Sequence, residues 1–305
     1  MAETQVPTNF PSVSDLNARG LHSVTSTTDE TIAWLRKHGL LASVMNCTAC
    51  GHPARECSDS KRNDGKRWRC RVKACGKDIS IRHGSFFGES SKLQLTQMLD
   101  LLYFYAYENA TFKNISRECR MASEAIVKWR NFTRDIFAEH LTAHSVRIGG
   151  PGEVVEIDES ALFKRNYQVG KLVCTQWVFG GVQVGNKNAF LVAVPNCDAA
   201  TLLPTIQEFV IPGSTIVSDL WAAYKTTENP GYDLLAVNDS IRFVDPQTHV
   251  GVATNHMEGM WCHAKQRKRE SGTRKPHLIE FMWRRSFGDD PFQNLLTHIR
   301  EVYPV

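Results

Sequence analysis

Two hydrophobic patterns divide this chain. Before residue 149, apolar side chains fall in blocks long enough for helices; after the GGPG of residues 149–152 they gather in short runs rich in β-branched and aromatic residues. In the first part, DETIAWLRKHGLL (29–41) predicts a short helix with Thr27 or Thr28 as N-cap and Gly39 near its end. KLQLTQMLDLLYFYAYEN (92–109) is apolar on all sides, as a helix at the centre of a small bundle would be. FKNISRECR (112–120) and ASEAIVKWRNFTRDIFAEHL (122–141) predict a short and a longer helix about a tight turn at Met121–Ser123. The pair has the outline of a helix-turn-helix, with Lys128, Arg130 and Arg134 expected to point outward, although a three-helix bundle with surface arginines would look the same. Residues 1–26 read as a polar tail.

In the second part, EVVEIDES (153–160), TQWVFGGVQV (175–184) and AFLVAV (189–194) predict three consecutive strands. AATLLPTIQEFV (199–210) predicts an amphipathic helix, STIVSD (214–219) a buried fourth strand and LLAVND (234–239) a fifth. NHMEGMWCHAK (255–265) predicts a helix, and HLIEFMWRRSF and FQNLLTHIREVY close the chain. Three strands, a helix, a strand, then a further strand and helix is the order of a ribonuclease-H-like fold.

Cysteine spacing changes the picture of residues 45–90. Five of the nine cysteines lie between Cys47 and Cys75, a clustering that points to metal and not to disulfides. Cys47 and Cys50 form a C-x2-C, Cys70 and Cys75 a C-x4-C; each pair opens into a glycine, Gly51 or Gly76, and a basic hairpin lies between them. Two tight turns supplying two thiolates each fit a zinc ribbon holding one Zn²⁺ per chain. His52 and Cys57 are the alternative ligands. No basic segment followed by an apolar run opens the chain, and no apolar stretch approaches the ~20 residues needed to cross a bilayer, so a soluble, intracellular protein without a membrane partner is expected.

Charge is distributed unevenly. The formal net charge is +4, yet residues 47–82 hold ten Lys/Arg against four Asp/Glu, and residues 263–285 hold eight against two, so the remainder is acidic. Two separated basic segments predict a polyanion gripped at two places, with Arg67, Arg69 and Arg71 on the ribbon and Lys265, Arg267, Lys268 and Arg269 near the end as contacts.

Three carboxylates stand where packing alone resists them. Asp158 lies within the apolar strand VVEIDES, a costly place for a charge unless it is paired or on a metal. Asp219 closes the strand TIVSD, where it could instead cap the following helix. Glu258 shares a helical face with Trp261, Cys262 and Lys265, and is expected to turn inward; the competing reading is a solvated helix edge. Three carboxylates from two strands and a helix make a hard-oxygen site for two Mg²⁺ or Mn²⁺ ions, able to activate water on one side of a phosphodiester and stabilise the leaving 3′ oxygen on the other. Asp239 and Asp245 are next in line should Glu258 be structural. Lys265 is then placed to hold a DNA phosphate, and Trp261 to pack beneath the site or stack on a base. The expected class is α+β and multidomain: a tail and short helix (1–44), a zinc ribbon (45–90), a helix-turn-helix-like DNA-binding domain (91–146) and a ribonuclease-H-like α/β catalytic domain (150–305).

The runs VVEIDESALF, WVFGGVQ, GSTIVSDLWAAY and VNDSIRFVDPQTHVGVATNHMEGMWCHAK, in that order, closely resemble the transposases of the Merlin superfamily, which are related to bacterial insertion-sequence transposases with an ISXO2-like domain. The similarity runs over roughly residues 45–285; the first 45 residues and the looser C-x4-C depart from it. The resemblance implies a DDE transposase with Asp158, Asp219 and Glu258 as metal ligands and Lys265 as the lysine seven residues after the glutamate. It also implies cut-and-paste movement of an element with terminal inverted repeats, inserted into target DNA by a homo-oligomeric synaptic complex. A nuclease or resolvase on the same fold, and a host DNA-binding regulator derived from a transposase, are the competing readings; the filled acidic positions argue against the regulator. The nucleus is the expected location for a eukaryotic source, which is preferred, and the cytoplasm or nucleoid for a bacterial one.

Overall fold

The computed structural model describes residues 10–88, 91–108, 110–145, 147–163, 176–218, 231–236, 243–244, 251–252, 255–266 and 275–305. The chain divides into two compact units, one of residues 1–140 with 287–305, the other of residues 141–286.

The first unit opens with α1 (Ala18–Val24) and α2 (Thr28–Lys37). Thr27 caps α2 reciprocally: its hydroxyl accepts from Glu30 N, while Glu30 Oε2 accepts from Thr27 N at 2.9 Å. α1 corrects the expected polar tail. Asn17 Oδ1 accepts from Gly20 N at 2.8 Å to start the helix, and Val13 and Leu21 are buried. Three antiparallel strands follow, β1 (Ala54–Ser58), β2 (Lys66–Cys70) and β3 (Asp78–Ser80), in the order β1-β2-β3. α3 (Leu95–Tyr107) buries residues all round, as its sequence predicts, and α4 (Phe112–Glu118) and α5 (Ser123–Ala143) follow it.

Between ribbon and helices lies one fully buried ion pair. Arg82, 1 % exposed, donates from Nε and Nη2 to the two oxygens of Asp64 at 2.7 and 2.5 Å, and Nη2 also reaches Leu93 O at 2.7 Å. Asp64 sits in the β1–β2 turn and Leu93 just ahead of α3, so a single guanidinium ties the hairpin tip to the start of the central helix.

In the second unit, β4 (Ile148–Gly149) leads into β5 (Val154–Phe163), β6 (Gln176–Gln183) and β7 (Ala189–Val194). After α6 (Ala199–Phe209) come β8 (Val210–Ile211), β9 (Thr215–Ser218), β10 (Asp233–Ala236) and the short antiparallel pair β11 (Phe243–Val244) and β12 (Gly251–Val252). The central sheet has the order β10-β9-β5-β6-β7: β5, β6 and β7 form an antiparallel meander, and β9 and β10 run parallel to β5. α7 (Asn255–Gln266) and α8 (Lys275–Phe287) close this unit.

Each face of the sheet has its own core. Val155 and Ile157 of β5 and Phe179 of β6 pack with Leu202 and Ile206 of α6. On the other face Val178 and Val182 of β6 pack with Met257, Met260 and Trp261 of α7 and with Leu278 and Phe281 of α8. Alternation along β5 therefore leaves Glu156 and Asp158 on the α7 side.

α9 (Pro291–Val302) corrects a domain boundary. The catalytic domain was expected to run to residue 305, but α9 packs with α3 in the first unit, where Tyr103 meets Phe292 edge to face at 5.1 Å and His140 stacks on His298 at 3.4 Å. Its apolar face needs a helical partner, and α3 is apolar all round.

Removing one member of a buried pair strands the other. Arg82→Ala should therefore destabilise the first unit by about 3–5 kcal/mol, read in urea as an early unfolding transition; an unchanged midpoint would show that the pair does not join ribbon to helices.

Candidate functional site

The α7 face of β5 carries two acidic side chains, and both bond to α7. Asp158 is half-buried; its Oδ2 accepts the Trp261 indole N–H at 2.7 Å and its Oδ1 accepts Glu159 N at 2.7 Å. Glu156 is fully buried, and its carboxylate accepts from His256 N and Met257 N at 3.1 and 3.2 Å and meets His256 Nδ1 at 2.7 Å. Glu156 went unnoticed in the sequence. Its signal was there: in VVEIDES it shares the period of Asp158, opposite Val155 and Ile157.

Packing explains why α7 can come so close. Asp158 pairs with Gly180 across the β5–β6 ladder. A Cβ on Gly180 would stand 2.6 Å from Leu191 Cδ2 and 3.1 Å from Met257 Cε. The glycine of WVFGGVQ thus leaves the space that Met257 fills.

The orientation of α7 differs from expectation. Its buried stripe is Met257, Met260 and Trp261, with Ala264 half-buried, while Glu258, Cys262 and Lys265 are exposed. Glu258, expected to turn inward, lies one position off the apolar stripe, because a carboxylate gains nothing among two methionines. Trp261 takes the inward station instead and delivers a hydrogen bond to Asp158. The structure thus brings Asp158 together with the helix that carries Glu258. Asp219, Asp239, Asp245, Arg267, Lys268 and Arg269 lie outside the described residues. The Cys197 thiol, between β7 and α6, reports the local field: burial first, then the carboxylates of Glu159, Asp198 and Asp158, push its pKa up to about 11.

The four predicted cysteines converge. The sulfurs of Cys47, Cys50, Cys70 and Cys75 all lie within 4.8 Å of one another, with Cys47–Cys75 at 3.6 Å and Cys50–Cys70 at 3.4 Å. Gly51 (φ +73°) and Gly76 (φ +55°) turn the chain back after each pair. Cys57 and His52 are not members of the cluster; His52 Nδ1 lies 3.0 Å from Cys50 O. Within the Cys50–Cys70 pair, the backbone N–H of His52 pulls Cys50 down to about 6 while burial pushes Cys70 up to about 12.

The basic residues separate into two groups. Arg67 pairs with Asp78 at 2.8 Å and Asp59 at 3.3 Å, and Arg69 approaches Asp78 at 3.7 Å. Arg71 is exposed and, with Arg55, Arg69 and Lys73, lines a cleft of about 680 Å³ beside Cys70. On α5 Lys128 is exposed, whereas Arg130 lies half-buried over the Tyr105 ring at 4.9 Å. Arg134, expected to point outward, is 7 % exposed and donates to Asn131 at 2.9 Å. It borders the buried stripe of Ile126, Trp129, Thr133 and Phe137, whose spacing turns that side of the helix inward.

Residues 152–276, from the turn before β5 into the first residues of α8, match the family described as ISXO2-like transposase domain. Over 118 residues the chain is 31% identical to an uncharacterized transposase-like protein of Haemophilus influenzae, covering 37% of this chain and 91% of that protein. The chain belongs to the ISXO2-like transposase family. No solved structure matches it. The ISXO2-like domain contains the β5 carboxylates, Gly180 and the whole of α7; the cysteine cluster and the α4–α5 pair lie outside it. Among the described residues, no helix is long and apolar enough to cross a membrane.

Because a side chain at position 180 would meet Leu191 of β7 first and then Met257 of α7, Gly180→Val should displace both side chains and cost about 1–3 kcal/mol. A thermal melt of the full chain checks this; an unchanged melting temperature would mean that neither side chain relies on the space left at position 180.

Proposed function

We propose that this chain is a DDE transposase that cleaves the ends of a DNA element and joins their 3′-OH groups to target DNA. The observation that carries the reading is the coincidence of the ISXO2-like match with β5 and α7, where Asp158 is bonded to the helix that presents Glu258. The sheet order supports it: an antiparallel meander continued at the edge of its first strand by two strands parallel to that strand is compatible with a ribonuclease-H-like core. The Merlin resemblance, DNA with terminal inverted repeats as partner, a homo-oligomeric synaptic complex, and nuclear action in a eukaryotic source belong to the same proposal.

The donor set suits a hard cation. Asp158 is half-buried and oriented by an indole N–H, Glu258 faces solvent one turn before Trp261, and Asp219 follows Ser218 of β9, the parallel neighbour of β5. Asp158, Asp219 and Glu258 would hold two Mg²⁺ or Mn²⁺ ions, whose chemistry when bound is to activate water and stabilise a leaving 3′ oxygen. Lys265, exposed two turns beyond Glu258, would bind a phosphate and hold the scissile strand there. In the ribbon, sulfur separations of 3.4 and 3.6 Å lie close to the ~3.8 Å edge of a tetrahedral zinc–thiolate site and far beyond the ~2.05 Å of a disulfide, so Cys47, Cys50, Cys70 and Cys75 would hold one Zn²⁺. Arg69, Arg71 and Lys128 would contact DNA phosphates, with affinity falling as salt rises.

Asp158→Asn, Asp219→Asn and Glu258→Gln should each abolish Mg²⁺- or Mn²⁺-dependent nicking of a labelled element end to a similar depth, because ligands of one site act as a unit. Near wild-type nicking by Glu258→Gln would remove the glutamate from the site. Metal analysis of the purified chain should return about one zinc, lost together with end binding in Cys70→Ser; a variant that keeps both would refute the ligand set.

A further inference from the structure

Glu156 is a buried acidic residue that the proposed chemistry leaves unused. It is 1 % exposed near the start of β5, two residues before Asp158 and on the same face. A carboxylate in that position costs several kcal/mol unless donors replace its water. Its donors come from α7: the backbone amides of His256 and Met257, at the positive end of a twelve-residue helix, with the His256 ring beside them.

The two carboxylates of β5 make a ruler. Glu156 to Asp158 is two strand residues, about 6.6 Å. Met257 to Trp261 is four helical residues, about 6 Å. Glu156 holds the first of these helix positions and Asp158 the second, so the spacings agree only when α7 sits in one register on β5. Sliding α7 by one residue would break both contacts together. Glu258 is the residue directly after the first contact and one turn before the second.

We propose that Glu156 is a positioning residue for the metal site: it sets the register of α7 on β5, and thereby the place of Glu258 relative to Asp158, without touching metal or DNA. The proposal rests on the reading of Asp158 and Glu258 as metal ligands. A helix cap with no such role would affect stability alone.

The test uses the full chain labelled with ¹⁵N at tryptophan, with metal binding and spectra recorded without DNA and end binding measured separately. Mn²⁺ binding is measured by calorimetry against Asp158→Asn, and the indole N–H resonance of Trp261 is assigned with Trp261→Phe. Glu156→Gln, which keeps length and one acceptor, should weaken Mn²⁺ binding about 10-fold and move the Trp261 resonance, while binding of element ends by the full chain stays within about twofold. A folded Glu156→Gln with unchanged Mn²⁺ affinity and resonance overturns the positioning role and leaves the metal reading intact. If wild type shows no Mn²⁺ binding that Asp158→Asn removes, the metal reading falls and the positioning role with it. Should Glu156→Gln fail to fold, His256→Ala removes the ring contact and spares both amides. It should then weaken Mn²⁺ binding by a smaller factor and shift the same resonance, and an unchanged value overturns the proposal.

Discussion

A carboxylate buried in a β-strand has to be matched by donors, and in the second unit one helix supplies them. Glu156 takes the first-turn amides of α7, and Asp158 takes the indole of Trp261. Much else follows from these contacts. Glycine at 180 of β6 leaves space beside Leu191 and Met257, and Met257, Met260 and Trp261 join Leu278 and Phe281 in an apolar cluster on that face of the sheet. On the opposite face Val155, Ile157 and Phe179 pack against Leu202 and Ile206 of α6.

Arginine is used in two ways, and burial tells them apart. Arg82 and Arg67 are committed to carboxylates within the first unit, Arg130 to an aromatic ring, and Arg134 to the buried side of α5. A guanidinium suits that work because its planar fork satisfies two acceptors at once. Arg71, Lys73, Lys128 and Lys265 are among the basic side chains that stay exposed in the described residues. A count of basic residues along the sequence overstates the binding surface, since part of that charge is spent inside.

Much of the architecture was legible from short-range pattern. The strands now seen at 154–163, 176–183 and 189–194, the helix at 199–209 and the convergence of four cysteines follow from β-branched runs, amphipathic spacing and paired thiols. Errors arose where one step of phase or a distant partner decides the outcome. On α7 the face through 258, 261 and 265 is solvated at both ends, whereas 257, 260, 261 and 264 form the apolar stripe that a Met-Met-Trp-Ala count marks in the sequence. The same count on α5 would have turned Arg134 inward. Glu156 was visible as the period-2 companion of Asp158, but its partners lie a hundred residues away, beyond local pattern. The packing of α9 with α3 is likewise unreadable from either helix alone, since an amphipathic face states that it needs a partner and not which one.

If the β5–α7 carboxylates carry out strand transfer, the purified chain should join element ends to a target. The purified full chain is incubated with Mg²⁺, a duplex carrying the sequence that flanks its coding region, labelled at the 3′-OH end, and a supercoiled target plasmid. Label should then appear covalently joined to plasmid, in a product that disappears with Asp158→Asn. Ends that are hydrolysed but never joined, or joining that survives Asp158→Asn, would contradict it.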